Sequence, residues 1–220
     1  MKKLVVFGVS EIAELANFYF TEDSKYEVAC FTIDEEYKDS DSFLGKPVVS
    51  FQGIQSKYPP NEYDFFVALS YTKMNELRKV KYLEARSLGY KLASYISSYA
   101  TVLNENNIGD NCFILEDNTI QPKVLIGNNV TLWSGNHIGH HSVIQDHVFI
   151  SSHVVISGGV IVEDSCFIGV NATLRDHIVI GSKSLIGAGS IIMKSTDPFS
   201  VFVPNSTEVR EVRSDQLRKI

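Results

Sequence analysis

The stretch WSGNHIGHH, residues 133–141, places His137, His140 and His141 within five positions, and His147 and His153 follow soon after. Imidazole titrates near neutral pH. It serves as a general base, as a metal ligand or, with no chemical task, as a solvated surface group. The cysteines do not favour a metal. Cys30, Cys112 and Cys166 are an odd number without short spacing, which fits neither a disulfide framework nor a zinc motif. His137 with His140 or His141 could chelate, but a corner does not hold two imidazoles as a helix does. The chemistry therefore depends on what positions the histidines.

They lie in a repeat. From Ile96 the sequence divides without a gap into the hexads ISSYAT, VLNENN, IGDNCF, ILEDNT, IQPKVL, IGNNVT, LWSGNH, IGHHSV, IQDHVF, ISSHVV, ISGGVI, VEDSCF, IGVNAT, LRDHIV, IGSKSL, IGAGSI and IMKSTD, over residues 96–197. Every first position is Ile, Leu or Val, and every fifth is small, polar-compact or β-branched. A strict period of six requires a repeat architecture in which each hexad supplies a short strand and a corner. Three hexads close a triangular coil, and the backbone pairs with the coils on either side. Cys112 and Cys166, at fifth positions three coils apart, are then separated by roughly 14 Å, beyond the roughly 7 Å reach of a disulfide. Asn118 and Asn136 point inward one coil apart, as in an amide ladder. His137 and Trp133 face outward, and His140 and His141 share a corner. His147 and His153, at fourth positions one hexad apart, occupy different corners and meet His140 only if a neighbouring chain brings them. His177 reads as a surface residue.

Residues 1–95 have another texture. KLVVFGV, YEVACFTID, GKPVVSF, DFFVALS and KLASYIS read as strands, EIAELANFYF as a helix capped by Ser10, and YTKMNELRKVKYLEARSLGY as a long amphipathic helix. Alternating strands and helices predict a small Rossmann-like parallel α/β domain. Residues 198–220 predict a cap and tail over the last coil. A net charge of −6 argues against nucleic acid or an anionic membrane as the main partner. No run of 18 apolar residues predicts a membrane span. MKKLVVFGVSEIAEL meets Glu11 and Glu14 too soon for a signal peptide, so a cytoplasmic location is expected.

An α/β domain before uninterrupted hexads, with a histidine at the third position of IGHHSV, resembles the left-handed parallel β-helix N-acetyltransferases of nucleotide sugars, of the bacillosamine and sialic-acid-locus type. The resemblance covers essentially the whole chain. It implies a homotrimer with active sites between neighbouring β-helices, acetyl-CoA as cosubstrate, no metal, and a nucleotide-linked amino-dideoxy sugar held partly by the N-terminal domain. It implies that His140 is the catalytic base, with the adjacent His141 the second catalytic candidate. The acidic residue that usually follows is replaced by His141, with Asp146 or Asn136 as candidate substitutes for its orienting role. A second family histidine, facing the thioester, aligns with Phe149, and His147 or His153 could supply that contact. CoA contacts map to Gly158, Val170 and Ala188. The family's glycine-rich loop corresponds to GVSEIAE, with Gly8 and Ser10, and its acidic pair to Asp34 and Glu35.

Direct attack of an amine on a thioester needs a base and an oxyanion donor and no nucleophilic Ser or Cys. The resemblance implies N-acetyl transfer, with substrate contacts from Gly8, Ser10, Asp34, Asn136 and His137. The rival readings are O-acetyl transfer to a hydroxyl, a metal-dependent hydratase, and an inert trimeric scaffold. The β-helix carbonic anhydrases hold zinc with two histidines five residues apart, a spacing absent here. Gly8–Ser10 could be an ordinary strand–helix turn, Asp34 a solvated loop acid, and Trp133 a packing residue.

Overall fold

The computed structural model describes residues 2–103, 107–209 and 211–216. Strands β1 (Lys2–Phe7), β2 (Tyr26–Ile33), β3 (Ser42–Phe43), β4 (Lys46–Ser50) and β5 (Tyr63–Val67) form one sheet in the order β3-β4-β2-β1-β5. All neighbours are parallel except the short β3 against β4. The alternation of β1 is visible in its packing. Leu4 and Val6 join helix α1 (Glu11–Glu22) through Ala13, Ala16 and Phe20, while Val5 and Phe7 join helix α2 (Glu76–Ser87) through Tyr82 and Ala85.

Two expectations for this domain change. The second helix is shorter than the amphipathic run, because Lys73, Met74 and Asn75 all take positive φ and delay its start to Glu76. KLASYIS is not a sheet strand. Leu92 makes one bridge to Phe65, and Tyr95–Ile96 pairs instead with Phe113–Ile114 as the first strand of the repeat region.

From there the chain forms the left-handed β-helix expected. Each strand comprises the sixth position of one hexad and the first of the next, and it pairs in parallel with the strand one coil away, as Thr131–Leu132 does with Phe149–Ile150. Three faces result. Face one carries seven strands, from Tyr95–Ile96 through Phe113–Ile114, Thr131–Leu132, Phe149–Ile150, Phe167–Ile168 and Leu185–Ile186 to Val201–Phe202. Face two carries six, including His137–Ile138 and Val155–Ile156, and face three four, including Leu125–Ile126 and Val143–Ile144. First and fifth positions fill the interior, from Cys112 and Ile114 to Ile186 and Ile192. The free Cys112 and Cys166 are buried, as the frame required.

Each corner turns at the fourth position. From Asn111 to Gly189 every fourth position has positive φ, between 52° at Asn111 and 78° at Gly135. His141, His147, His153 and His177 are four of them. Histidine, like Asn and Asp, is enriched in this backbone region, so these four have a conformational reason to be where they are. His137 and His140 have none.

The coil does not stop at Asp197. Val201–Phe202 pairs with Leu185–Ile186 and Thr196 bridges Ile180, so the last turn runs two residues short of the repeat and continues past the expected boundary. Phe202 packs against the interior, closing its end.

Candidate active site

In the N-terminal sheet, β1 leads through α1 to β2 on one side, while β5 lies on the other. Strand order thus reverses between β1 and β5, the place where open α/β sheets form a crevice at the carboxyl ends of their strands. Gly8 sits at this point with φ 124°, and a Cβ on it would lie 2.8 Å from the carbonyl oxygen of Ala68. Its absence lets the two strand ends close and sets Ser10, Glu11 and Ile12 on one rim. Ser70 and Tyr71 follow β5. The other wall comes from the β-helix: Trp133, Phe149, Ser151, Ser152 and Val170. Together they enclose a cleft of about 530 Å³.

An aromatic cluster builds that second wall. Phe149 and Phe167 stack one coil apart at 5.8 Å, and Tyr71 contacts both rings edge-on or tilted, at 5.1 and 4.7 Å. Beneath it lies Arg78 of α2, fully buried. Its Nη1 donates to the Asn129 carbonyl and Thr131 Oγ1, and its Nη2 to Asn75 Oδ1 and the His147 carbonyl. Among the described residues no carboxylate faces it, and burial pushes its guanidinium down to about 9, so it stays charged at neutral pH. Asn75 adds bonds to the carbonyls of Ser165 and Cys166. Two polar residues of the predicted amphipathic run, Asn75 and Arg78, therefore clasp the β-helix rather than face water.

The histidine pair lies elsewhere. His140 and His141 occupy the corner between faces two and three, both exposed, with their Nδ1 atoms 3.0 Å apart and rings edge to face. The His140 amide donates to Gln121 Oε1. Its ring covers Gly158 one coil on, where a Cβ would stand 2.6 Å from Cε1. Nε2 of His140 has no hydrogen-bond partner among the described residues. This corner differs from that of the cleft, which runs between faces one and two; face two separates them within one chain.

Residues 107–140 and 123–158 match the model of the bacterial transferase hexapeptide (six repeats), and residues 159–194 match that of the hexapeptide repeat of succinyl-transferase. The hexapeptide repeat of these models thus spans residues 107–194 of the β-helix. Together with the α/β domain, the hexapeptide domain resembles solved structures over nearly the whole chain. One is a histidine-to-asparagine variant of perosamine N-acetyltransferase from Caulobacter crescentus in complex with CoA and GDP-perosamine, at TM-score 0.79 and 20% identity, covering 91% of this chain and 93% of that one. Another is the acetyltransferase domain of PglB from Neisseria gonorrhoeae FA1090 in complex with acetyl coenzyme A, at TM-score 0.77 and 22% identity, covering 90% and 93%. A third is WeeI from Acinetobacter baumannii AYE, at TM-score 0.75 and 20% identity, covering 93% and 97%. At these identities the likeness is one of fold. No curated protein sequence matches the chain significantly.

The hexapeptide domain distributes the expected site residues over three corners. Ser10, Phe149 and Val170 line the cleft. His153 lies on the same corner with its ring over Gly135, and Ala188 is exposed one coil beyond Val170. Gly158 belongs to the other corner, under His140, and His137 faces outward from face two between them. Three expectations are corrected. Asn136 is buried, its Oδ1 accepting the Val154 amide and its Nδ2 donating to the Trp133 carbonyl, so no substrate reaches it. Asn118 donates to that same carbonyl, so the two amides converge on it instead of bonding each other. His147 is 5% exposed under α2, its Nδ1 bonded to Asn129 Nδ2 and its ring edge against Tyr82, which removes it from any thioester. Asp146 bonds Asn128 and does not touch His140. Asp34 takes the Lys81 ammonium at 2.8 Å and Gln52 at 3.3 Å, tying β2 to α2. Ser70 and Tyr71 carry no motif in the sequence and line the cleft all the same. Large aromatics at outward positions, Trp133 and Phe149, were the legible sign of the wall they complete. Among the described residues no group of three or more His, Cys, Asp or Glu is placed to hold a metal ion.

Burial pushes the His147 imidazole below its ordinary 6.5. The unfolded chain then binds the extra proton first as pH falls, so native stability declines as pH drops through about 6.5 and levels off below the folded value. His147→Asn keeps the left-handed turn without the titration. Its melting temperature is expected to fall less than that of the wild type between pH 7.5 and 5.5 in scanning calorimetry.

Proposed function

We propose that the chain is an acetyl-CoA-dependent N-acetyltransferase acting on the amine of a sugar linked to a nucleoside diphosphate. The observation that carries this reading is the whole-length likeness to a fold that, in perosamine N-acetyltransferase, holds CoA and GDP-perosamine. The site chemistry supports it. The cleft offers serine hydroxyls and the N-terminus of α1 to phosphate oxygens, and aromatic rings to the faces of a base or sugar. Val170 and Ala188, one coil apart and both exposed, offer surface along the coils to the extended cosubstrate, and Gly158 lies at the corner of the base. In the reaction the sugar amine attacks the thioester carbonyl, His140 Nε2 takes the proton the nitrogen sheds, and the tetrahedral intermediate collapses with release of the CoA thiolate, which is reprotonated.

Cleft and base lie on different corners, so a complete site needs two chains. Faces two and three supply the contact. Face three shows Leu125, Val143, Ile161 and Val179 in one column, with Leu125 exposed, and face two shows Val155 and Ile191 exposed. A trimer with three-fold symmetry covers these aliphatic columns and sets the His140 corner of one chain against the cleft of the next. No helix among the described residues is long and apolar enough to cross a membrane, and we place the enzyme in the cytoplasm.

Thiol release from acetyl-CoA, measured against a panel of nucleotide-linked 3- and 4-amino sugars, tests the assignment. Turnover is expected with at least one amine and with none of the matching hydroxy sugars. Turnover with hydroxyls alone would establish O-acetyl transfer, and no turnover with any member would refute the acyltransferase reading.

A further inference from the structure

We propose that His141 is a positioning residue, whose neutral Nδ1 accepts the Nδ1–H of His140 and so fixes the tautomer that leaves His140 Nε2 as the free base. The inference rests on the reading of His140 as the base.

A hydrogen bond between two ring nitrogens holds one proton, so one nitrogen donates and the other offers its lone pair. The 3.0 Å Nδ1–Nδ1 contact therefore gives a neutral pair one free Nε2 lone pair and one Nε2–H. Placing the shared proton on His140 puts the lone pair on the ring that lies over Gly158. His141 itself is held by its backbone, with φ 60° and an amide bonded to the Pro122 carbonyl of the preceding coil. It is thus a fixed acceptor, and His140 is the ring it orients.

The acceptor differs from a carboxylate in charge. A carboxylate beside His140 would stabilise the imidazolium and raise the pH at which the base is lost. The other ionisable groups on this corner among the described residues are Lys123 one coil before His141, Arg175, Asp176 and His177 two coils beyond the pair, with Arg175 against Asp176, and Lys194 three coils beyond; Gly158 and Gly159 intervene.

The left-handed turn chooses the variants. Asp, Asn and Gly all tolerate it, and Oδ1 of Asp or Asn hangs from Cγ as Nδ1 of histidine does. In His141→Gly, kcat is expected to fall at least about tenfold with KM for both substrates nearly unchanged. His141→Asn should recover most of that loss. His141→Asp should recover it too and move the acid limb of the kcat/KM profile up by about one pH unit. Wild-type kcat and pH profile in His141→Gly, or a loss that neither Asn nor Asp repairs, would overturn the proposal. Nitrogen-15 NMR of the resting protein provides a readout independent of turnover. His140 should carry its proton on Nδ1 in the wild type and lose that preference in His141→Gly. An Nε2–H form of His140 in the wild type would refute the positioning role even if acetyl transfer is confirmed. A wild type that acetylates no amine, with the Nδ1–H form present, would refute the base assignment instead.

Discussion

His140→Asn is expected to lower kcat for amine acetylation by about 10²- to 10⁴-fold, the range that a positioned general base contributes. KM for acetyl-CoA should change little, because in the proposed mechanism the base meets the reacting amine and not the nucleotide of the cosubstrate. Asparagine preserves polarity at a third hexad position, and the side-chain contacts it disturbs, the ring over Gly158 and the bond to His141, both lie on an exposed corner. Folding should therefore be intact, with a melting temperature within a few degrees of wild type. Part of the lost rate should return at high pH, where more of the amine is already deprotonated. A variant with undiminished kcat would remove His140 from the mechanism.

Arg78→Met should have the largest effect on stability. The side chain is similar in length, but it leaves the carbonyls of Asn129 and His147, Thr131 Oγ1 and Asn75 Oδ1 without their donor in a buried seam. Breaking such a buried charged network costs about 3–5 kcal/mol. For a chain of this size that corresponds to a fall of roughly 10 °C in melting temperature, read by calorimetry. Arg78 also lies 5.6 Å from the Phe149 ring, so the cleft wall should shift and KM for the sugar substrate should rise. Arg78→Lys should not rescue, since one ammonium cannot replace a fork that serves several acceptors. An unchanged melting temperature would show that the clasp contributes nothing net.

The two variants mark what was legible in the sequence. The hexad frame predicted His140 on a corner, Asn136 inward, His137 outward and the cysteines buried, because the β-helix converts position in the repeat directly into side-chain direction. The frame says nothing about what covers a corner from outside. His147 and His153 occupy equivalent positions, yet one lies under α2 and the other is exposed, a difference set by a domain that the repeat does not encode. Arg78 and Lys81 look like the solvated face of an amphipathic helix, and both are buried. The cleft was half legible. Gly8 and Ser10 marked the strand–helix turn, but Ser70 and Tyr71 gained meaning only when β5 was found on the far side of β1. The corner conformation left a trace that sequence reading missed: Asn, Asp, Gly, His, Lys and Ser fill every fourth position from Asn111 to Gly189.

That corner rule bears on how such a site arises. A turn that admits histidine for the sake of its backbone places imidazoles on the surface at a fixed spacing, before any of them has a chemical task. His141 is such a residue, held by its turn whatever its neighbour does. A histidine at the adjacent third position, with a glycine one coil away to make room for its ring, brings the two Nδ1 atoms to 3.0 Å. The architecture thus supplies raw material for catalysis as a by-product of closing its coils, and an active site can appear at a corner without new backbone.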